Sequence, residues 1–174
     1  MKQVQVRTEI GMTCAAGMKH ILRQDPNVIM VGEMRDLETI SSVITLAETG
    51  HLVLATLHTL NASQTIDRII DVFPPYQQNQ VRLQVSLFLR GIISQQLVPA
   101  KNGGRAAARE ILINTPAVAN LIRENKIAQI RTAIQTSAED GMFTMDQNIK
   151  RLYLDGLVSE EVALSFMANP NDLK

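Results

Sequence analysis

The chain opens on an alternation: Gln3-Val4-Gln5-Val6-Arg7 sets polar against apolar side chains, the period of a strand with one wet face. Cys14 to Gln24 predicts a short helix that stops at Asp25-Pro26, because proline disfavours helical backbone in the residue before it. Val28-Ile29-Met30-Val31 is apolar without alternation, which predicts a strand buried on both faces of a parallel sheet. A helix follows over 37–48 and closes at Gly50, a residue suited to the left-handed turn past a helix end. Residues 52–57 (LVLATL) predict a second buried strand, and Asn61 with Gln64 a capping pair for a helix through Val72.

After Pro74-Pro75, a long helix is expected over 77–94, with Val81, Val85, Phe88 and Ile92 forming one apolar stripe. The Asn102-Gly103-Gly104 turn separates two short strands, near 96–99 and over 105–113. Beyond Thr115-Pro116 the pattern is helical, with a capping box at Thr144 and Gln147, a stop at Gly156 and a new start at Ser159. Strand, helix, strand, helix argues for an α/β core with a parallel sheet over 1–113, followed by a small helical subdomain over 114–174.

Composition narrows the chemistry. Seventeen basic residues balance seventeen acidic ones, so no net field draws the whole chain to nucleic acid or lipid. Aromatic residues are 3% of the chain, few for base-stacking platforms, and nucleic acid is not an expected partner. The single cysteine, Cys14, excludes an internal disulfide and a multi-cysteine zinc site, and suits a reducing cytoplasm. No apolar stretch approaches the length of a membrane span, and the first residues lack the apolar core of a secretory signal.

Gly32-Glu33-Met34-Arg35-Asp36 sits just past the first apolar strand, and ligands of open parallel sheets bind beyond the strands' carboxyl ends. A carboxylate at that place, Glu33, can orient and deprotonate a water or hold Mg²⁺ through its waters. His58 and Thr59 stand at the equivalent end of the next strand, where polar groups could contact a terminal phosphate. Arg35, Asp36 and Arg68 add charge nearby. Each residue also has a plainer reading: Glu33 as a helix cap or solvated turn, the histidines as structural, Arg68 with Asp71 as helix-surface pairing. His51 and His58 flank one strand, roughly 23 Å apart at 3.3 Å per residue, so no single ion spans them.

Taken together, LRQDPNVIMVGEMRDLET (22–39), TGHLVLATLHT (49–59) and TIDRIIDVFP (65–74) resemble three ordered motifs of the secretion-type ATPases, the hexameric motors of type IV pili and type II secretion. The first is similar to their Walker B segment and the second to their histidine box. The resemblance implies a P-loop NTPase (RecA-like) core with ATP and Mg²⁺ as ligands. It makes Glu33 the catalytic acid, with Mg²⁺ held through water, and His51 and His58 the histidine-box pair; Gly32, Arg35, Asp36, Thr59 and Arg68 would lie on the nucleotide side. It also implies a hexameric ring, an inner-membrane pilus platform protein as partner, and a cytoplasmic position peripheral to that machinery.

Motors for pilus extension and secretion usually carry a four-cysteine zinc element after the segment matching ISQQLVP (93–99), and this chain has no cysteine there. Its continuation instead resembles the retraction (PilT-like) branch, whose late motif reads Ala-Ile-Arg-Asn-Leu-Ile-Arg-Glu. Here Asn120, Leu121, Ile122, Arg123 and Glu124 preserve the second half, while Ala119 stands where that motif has arginine. By resemblance these five couple hydrolysis to retraction. The opening QVQVRTEIGMT is more similar to the extension and secretion branch, which stays an alternative. None of the nine glycines is followed by lysine, so the phosphate loop G-x-x-x-x-G-K-[ST] does not occur. The expectation is a core truncated at its amino-terminal side, with little or no ATP turnover of its own. A non-catalytic module docking on a full-length motor is the other reading.

Overall fold

A computed structural model describes residues 3–173. The opening alternation forms no strand. Arg7 and Met12 exchange two backbone hydrogen bonds of 2.9 and 3.0 Å across a 3₁₀ turn at Thr8–Ile10, and Val4 and Val6 stay exposed. Alternation sets which side chains share a face, but a strand also needs a neighbour for its backbone groups. Helix α1 (Cys14–Ile21) continues as a 3₁₀ turn to Gln24 and stops at Asp25.

Strands β1 (Val28–Val31) and β2 (Leu52–Ala55) pair in parallel, Val28 opposite Leu52 through Val31 opposite Ala55. Between them runs α2 (Leu37–Glu48), started by Asp36, whose carboxylate accepts the Thr39 N–H at 2.8 Å. Ile29 and Val31 turn into a core shared with Ile40 and Leu46 of α2, and Val53 packs against it. The expected burial of both faces is not met: Val28, Met30, Leu52 and Leu54 are exposed, Met30 by 72%. An unbroken apolar run says that both faces are greasy. It does not supply the layer that would cover the second one, and among the described residues none does.

Helix α3 (Ala62–Asp71) begins at Asn61, whose side chain accepts the Gln64 N–H at 2.9 Å, while the Gln64 side chain accepts from Leu60 at 3.2 Å. The next helix is shorter than its apolar stripe predicts: α4 spans Pro75–Phe88, and Ile92 and Ser94 belong to strand β3 (Gly91–Pro99). Strand β4 (Arg105–Ile113) pairs antiparallel with β3 along its whole length. Two contacts enforce the break. The Asn114 amide donates to the carbonyls of Ser86 and Leu89, taking up acceptors that a longer helix would have used. Gly91 crosses so close to β4 that a Cβ there would stand 2.9 Å from the Leu112 carbonyl oxygen.

The remaining helices are α5 (Pro116–Arg123), α6 (Ile130–Thr136), α7 (Met145–Leu154) and α8 (Glu160–Phe166), with caps from Thr115, Thr144 and Ser159 to α5, α7 and α8. Val118, Ile122, Ile130 and Ile134 join the core of β1, α3 and α4, so one apolar cluster runs through residues on both sides of 113. A second cluster, around Val98, Ala108, Ile149 and Val158, seats α7 and α8 on the hairpin. The chain is thus mixed α/β, with a parallel pair, helices and a helical carboxy-terminal part.

Candidate functional site

The ends of β1 and β2 are strapped together before any side-chain chemistry begins. Met34 N–H donates to the Thr56 carbonyl at 3.0 Å, and the Thr56 hydroxyl donates to the Gly32 carbonyl. This brings Glu33 beside His58. Glu33 Oε1 lies 3.2 Å from His58 Nε2, and Oε2 lies 2.6 Å from an Arg35 guanidinium nitrogen. The Glu33 side chain is 25% exposed, whereas those of Arg35 and His58 are largely in solvent. The hydrogen bond from Arg35 lowers the Glu33 pKa below its ordinary value; the charges of Arg35 and His58 assist, against partial desolvation. The same pairing raises Arg35.

Beside this pair an open cleft of about 680 Å³ is lined by His58, Thr59, Leu60, Gln64, Asp67, Arg68 and Asp71. The wall is the solvent side of α3 from Gln64 to its last residue, Asp71. Its position relative to the β2 tip is held by Thr65, whose hydroxyl lies 2.7 Å from that of Thr59 and donates to the Asn61 carbonyl at 2.9 Å. Desolvation raises the Asp67 pKa, and the Asp71 charge adds to it, against Arg82.

Glu33, Arg35, His58, Thr59 and Arg68 therefore share one end of the sheet. Asp36 is there too, but both its oxygens are engaged by Thr39. His51 is not: at the far end of β2, its Nδ1 lies 3.0 Å from the Thr49 hydroxyl and 3.1 Å from the Leu46 carbonyl, closing α2. The late motif divides by depth. Ile122 is buried and Leu121 packs against the core, while Asn120, Arg123 and Glu124 face solvent. Glu124 is held by Lys126 at 2.6 Å and Asn120 at 3.2 Å, and those hydrogen bonds, Lys126 first, lower its pKa.

Two groups escaped sequence reasoning. Gln64 and Asp67 join the cleft because a helix turn brings them beside Arg68. Glu110 is buried in β4, and a signal existed: it occupies the inward phase set by Ala108 and Leu112. No group of three or more metal-ligating side chains occurs among the described residues. No helix among them is long and apolar enough to cross a membrane.

A strand-tip acid, a histidine from the next strand end and a polar helix wall are also what the matching family model spans, since it covers residues 1–102 under the description type II/IV secretion system protein. The chain belongs to that family. It is 53% identical over 146 residues to the type IV pilus retraction ATPase PilT of Pseudomonas aeruginosa, covering 84% of this chain and 42% of that one. It is 52% identical over 153 residues to the twitching motility protein of Neisseria gonorrhoeae, covering 87% of this chain and 41% of the relative. A crystal structure of the pilus retraction motor PilT with bound ADP superposes with a TM-score of 0.83 at 47% identity, covering 94% of this chain and 46% of that one. The chain thus spans under half the length of these relatives.

Proposed function

We propose that this chain forms the water-activating side of the nucleotide site in a motor ATPase that drives type IV pilus retraction. One observation carries the reading: Glu33, at the carboxyl end of β1, is paired with His58 from the end of the neighbouring strand. Glu33 is the acid that orients the attacking water, with its ionised form favoured at neutral pH. Mg²⁺ suits this donor set, since it accepts one carboxylate through retained waters beside substrate phosphates. His58 and Thr59 face the terminal phosphate, Gly32, Arg35, Asp36 and Arg68 lie around it, and His51 is the second member of the histidine pair, farther from the phosphate at the other end of β2. Residues 1–113 serve as the partial ATPase core and 114–174 as the coupling subdomain, with Asn120 to Glu124 on its working surface. The motor is a hexamer on the cytoplasmic side, docked on an inner-membrane platform protein. Without a phosphate loop, the 174 residues alone turn over little ATP.

The test is a chimera in which this chain replaces the matching 42% of the Pseudomonas aeruginosa ATPase. It should hydrolyse ATP, and Glu33→Gln should cut turnover by about a hundredfold or more while nucleotide still binds. Undiminished hydrolysis in Glu33→Gln would remove Glu33 from its role. A second reading, a docking module without turnover, is favoured by the bare apolar face of Val28, Met30, Leu52 and Leu54. Co-purification of the 174-residue chain with a complete motor subunit would support it.

A further inference from the structure

Glu110 is 6% exposed, and among the described residues no cation pairs with it. Its partners are backbone. Oε1 accepts the N–H of Ala62, the first residue of α3, at 2.8 Å; Oε2 accepts the N–H of Met145, the first residue of α7, at 3.3 Å. Neither helix needs it as a cap. Asn61 and Thr144 already take the N–H groups of Gln64 and Gln147, so Glu110 receives donors left over at each amino terminus. Burying a carboxylate is costly, and two aligned N–H groups at positive helix ends offset that cost. The result is a single rigid group that belongs to β4 and holds the starts of two helices distant in sequence.

The bonds on either side extend the link. On the α3 side, Thr65 ties the helix to Thr59, next to His58, which in turn meets Glu33. On the α7 side, Asp146 follows Met145 directly and is itself 4% exposed. Its oxygens accept the N–H groups of Ala168 and Asn169, both at 2.9 Å, beyond the end of α8, and one pairs with Arg131 at 2.6 Å. Polar contacts, joined by chain neighbours at His58-Thr59 and Met145-Asp146, therefore run from the strand-tip acid, through the cleft wall and Glu110, to the carboxy-terminal helices.

We propose that Glu110 is a positioning residue that couples the start of α3, the wall of the candidate nucleotide cleft, to α7 and α8, so that a displacement of one is passed to the other. Its functional meaning rests on the reading of that cleft given above. Its physical content does not: it predicts that two bond deletions, one on each side of Glu110, are energetically linked through it.

The experiment is a double-mutant cycle on the urea unfolding of the 174-residue chain, with Thr65→Val cutting the α3 tie and Asp146→Asn weakening the α7 tie. Deletions without shared partners multiply their effects on the unfolding constant to within about twofold. With Glu110 present, the double variant should depart from that product by roughly fivefold or more; in a Glu110→Gln background the departure should vanish. Multiplicative behaviour in both backgrounds overturns the coupling, and an equal departure in both overturns the part assigned to Glu110. Should Glu110→Gln fail to fold, Met145→Pro cuts only the α7 arm. Proline is accepted at a first helical position, and Thr144, with φ −80° and ψ 162°, already has the backbone that precedes one. Met145→Ala then supplies the reference for the lost side chain, and the same two outcomes decide. A null cycle beside an active chimera removes the coupling alone; an intact cycle beside an inactive chimera removes the nucleotide reading alone.

Discussion

The end of β1 and the middle of β4 each present a glutamate, and the two regions hold it in opposite ways. Glu33 sits at a strand tip between two solvent-exposed side chains, the Arg35 guanidinium and the His58 imidazole. Glu110 sits mid-strand under two helices and is gripped by backbone N–H groups that cannot swing away. A carboxylate held by mobile side chains can exchange them for water, a cation or a phosphate-bearing ligand at little cost. One held by two helix starts can release neither without uncovering a buried donor. The difference fits the chemistry proposed for Glu33 and the positioning role proposed for Glu110, although both are acids beside or within apolar strand sequence.

The largest test of that contrast is Glu110→Ala, which leaves two buried N–H groups without an acceptor. Unfolding free energy should fall by about 3 kcal/mol in chemical denaturation; a loss under about 1 kcal/mol would erase the distinction between the two sites. Smaller is Asn61→Ala, which removes the cap of the helix that Glu110 also holds and should cost about 1 kcal/mol. Amide exchange should rise in the first turn of α3 and, to a smaller extent, at the start of α7, which Glu110 ties to it. Glu33→Gln should leave the urea midpoint unmoved, because its partners are exposed and side-chain pairs of that kind contribute little. A clear loss of stability would make Glu33 a structural residue.

The finest test is electrostatic. Arg35→Ala should raise the Glu33 carboxyl titration toward its ordinary value of 4.5, read by carboxyl-carbon NMR. In the intact chain the folded pKa is lowered, so this pair's small contribution to stability is present above 4.5 and is lost as pH falls through the lowered value. An unchanged titration would assign the shift to something other than Arg35.

Much of this was legible from short stretches of chain. The caps at Asn61, Thr115, Thr144 and Ser159 join a side chain to a backbone N–H three residues on, so their spacing carries them. The apolar runs at 28–31 and 52–57 form strands, the second only as far as Ala55, with Glu33 and His58 beyond their ends. The separation of His51 from His58 likewise followed from strand length.

Other features had no local signal strong enough to decide them. The stripe through Val81, Val85, Phe88 and Ile92 suits a helix and the alternation of Ile92 and Ser94 suits a strand; pairing with β4, closed by Asn114 and Gly91, settled the contest. The alternation at 3–7 found no partner strand. The apolar face of β1 and β2 found no covering layer. That Glu110 would meet Ala62 and Met145 depended on two helices converging from either side of β4, 48 and 35 residues away in sequence. By itself, then, the sequence determined what neighbouring residues do to one another: helix starts, apolar strands, and an acid at a strand tip. The tertiary structure alone decided which backbone groups were already taken and which faces were covered, because those bonds and surfaces are shared between residues that meet only after the chain has folded.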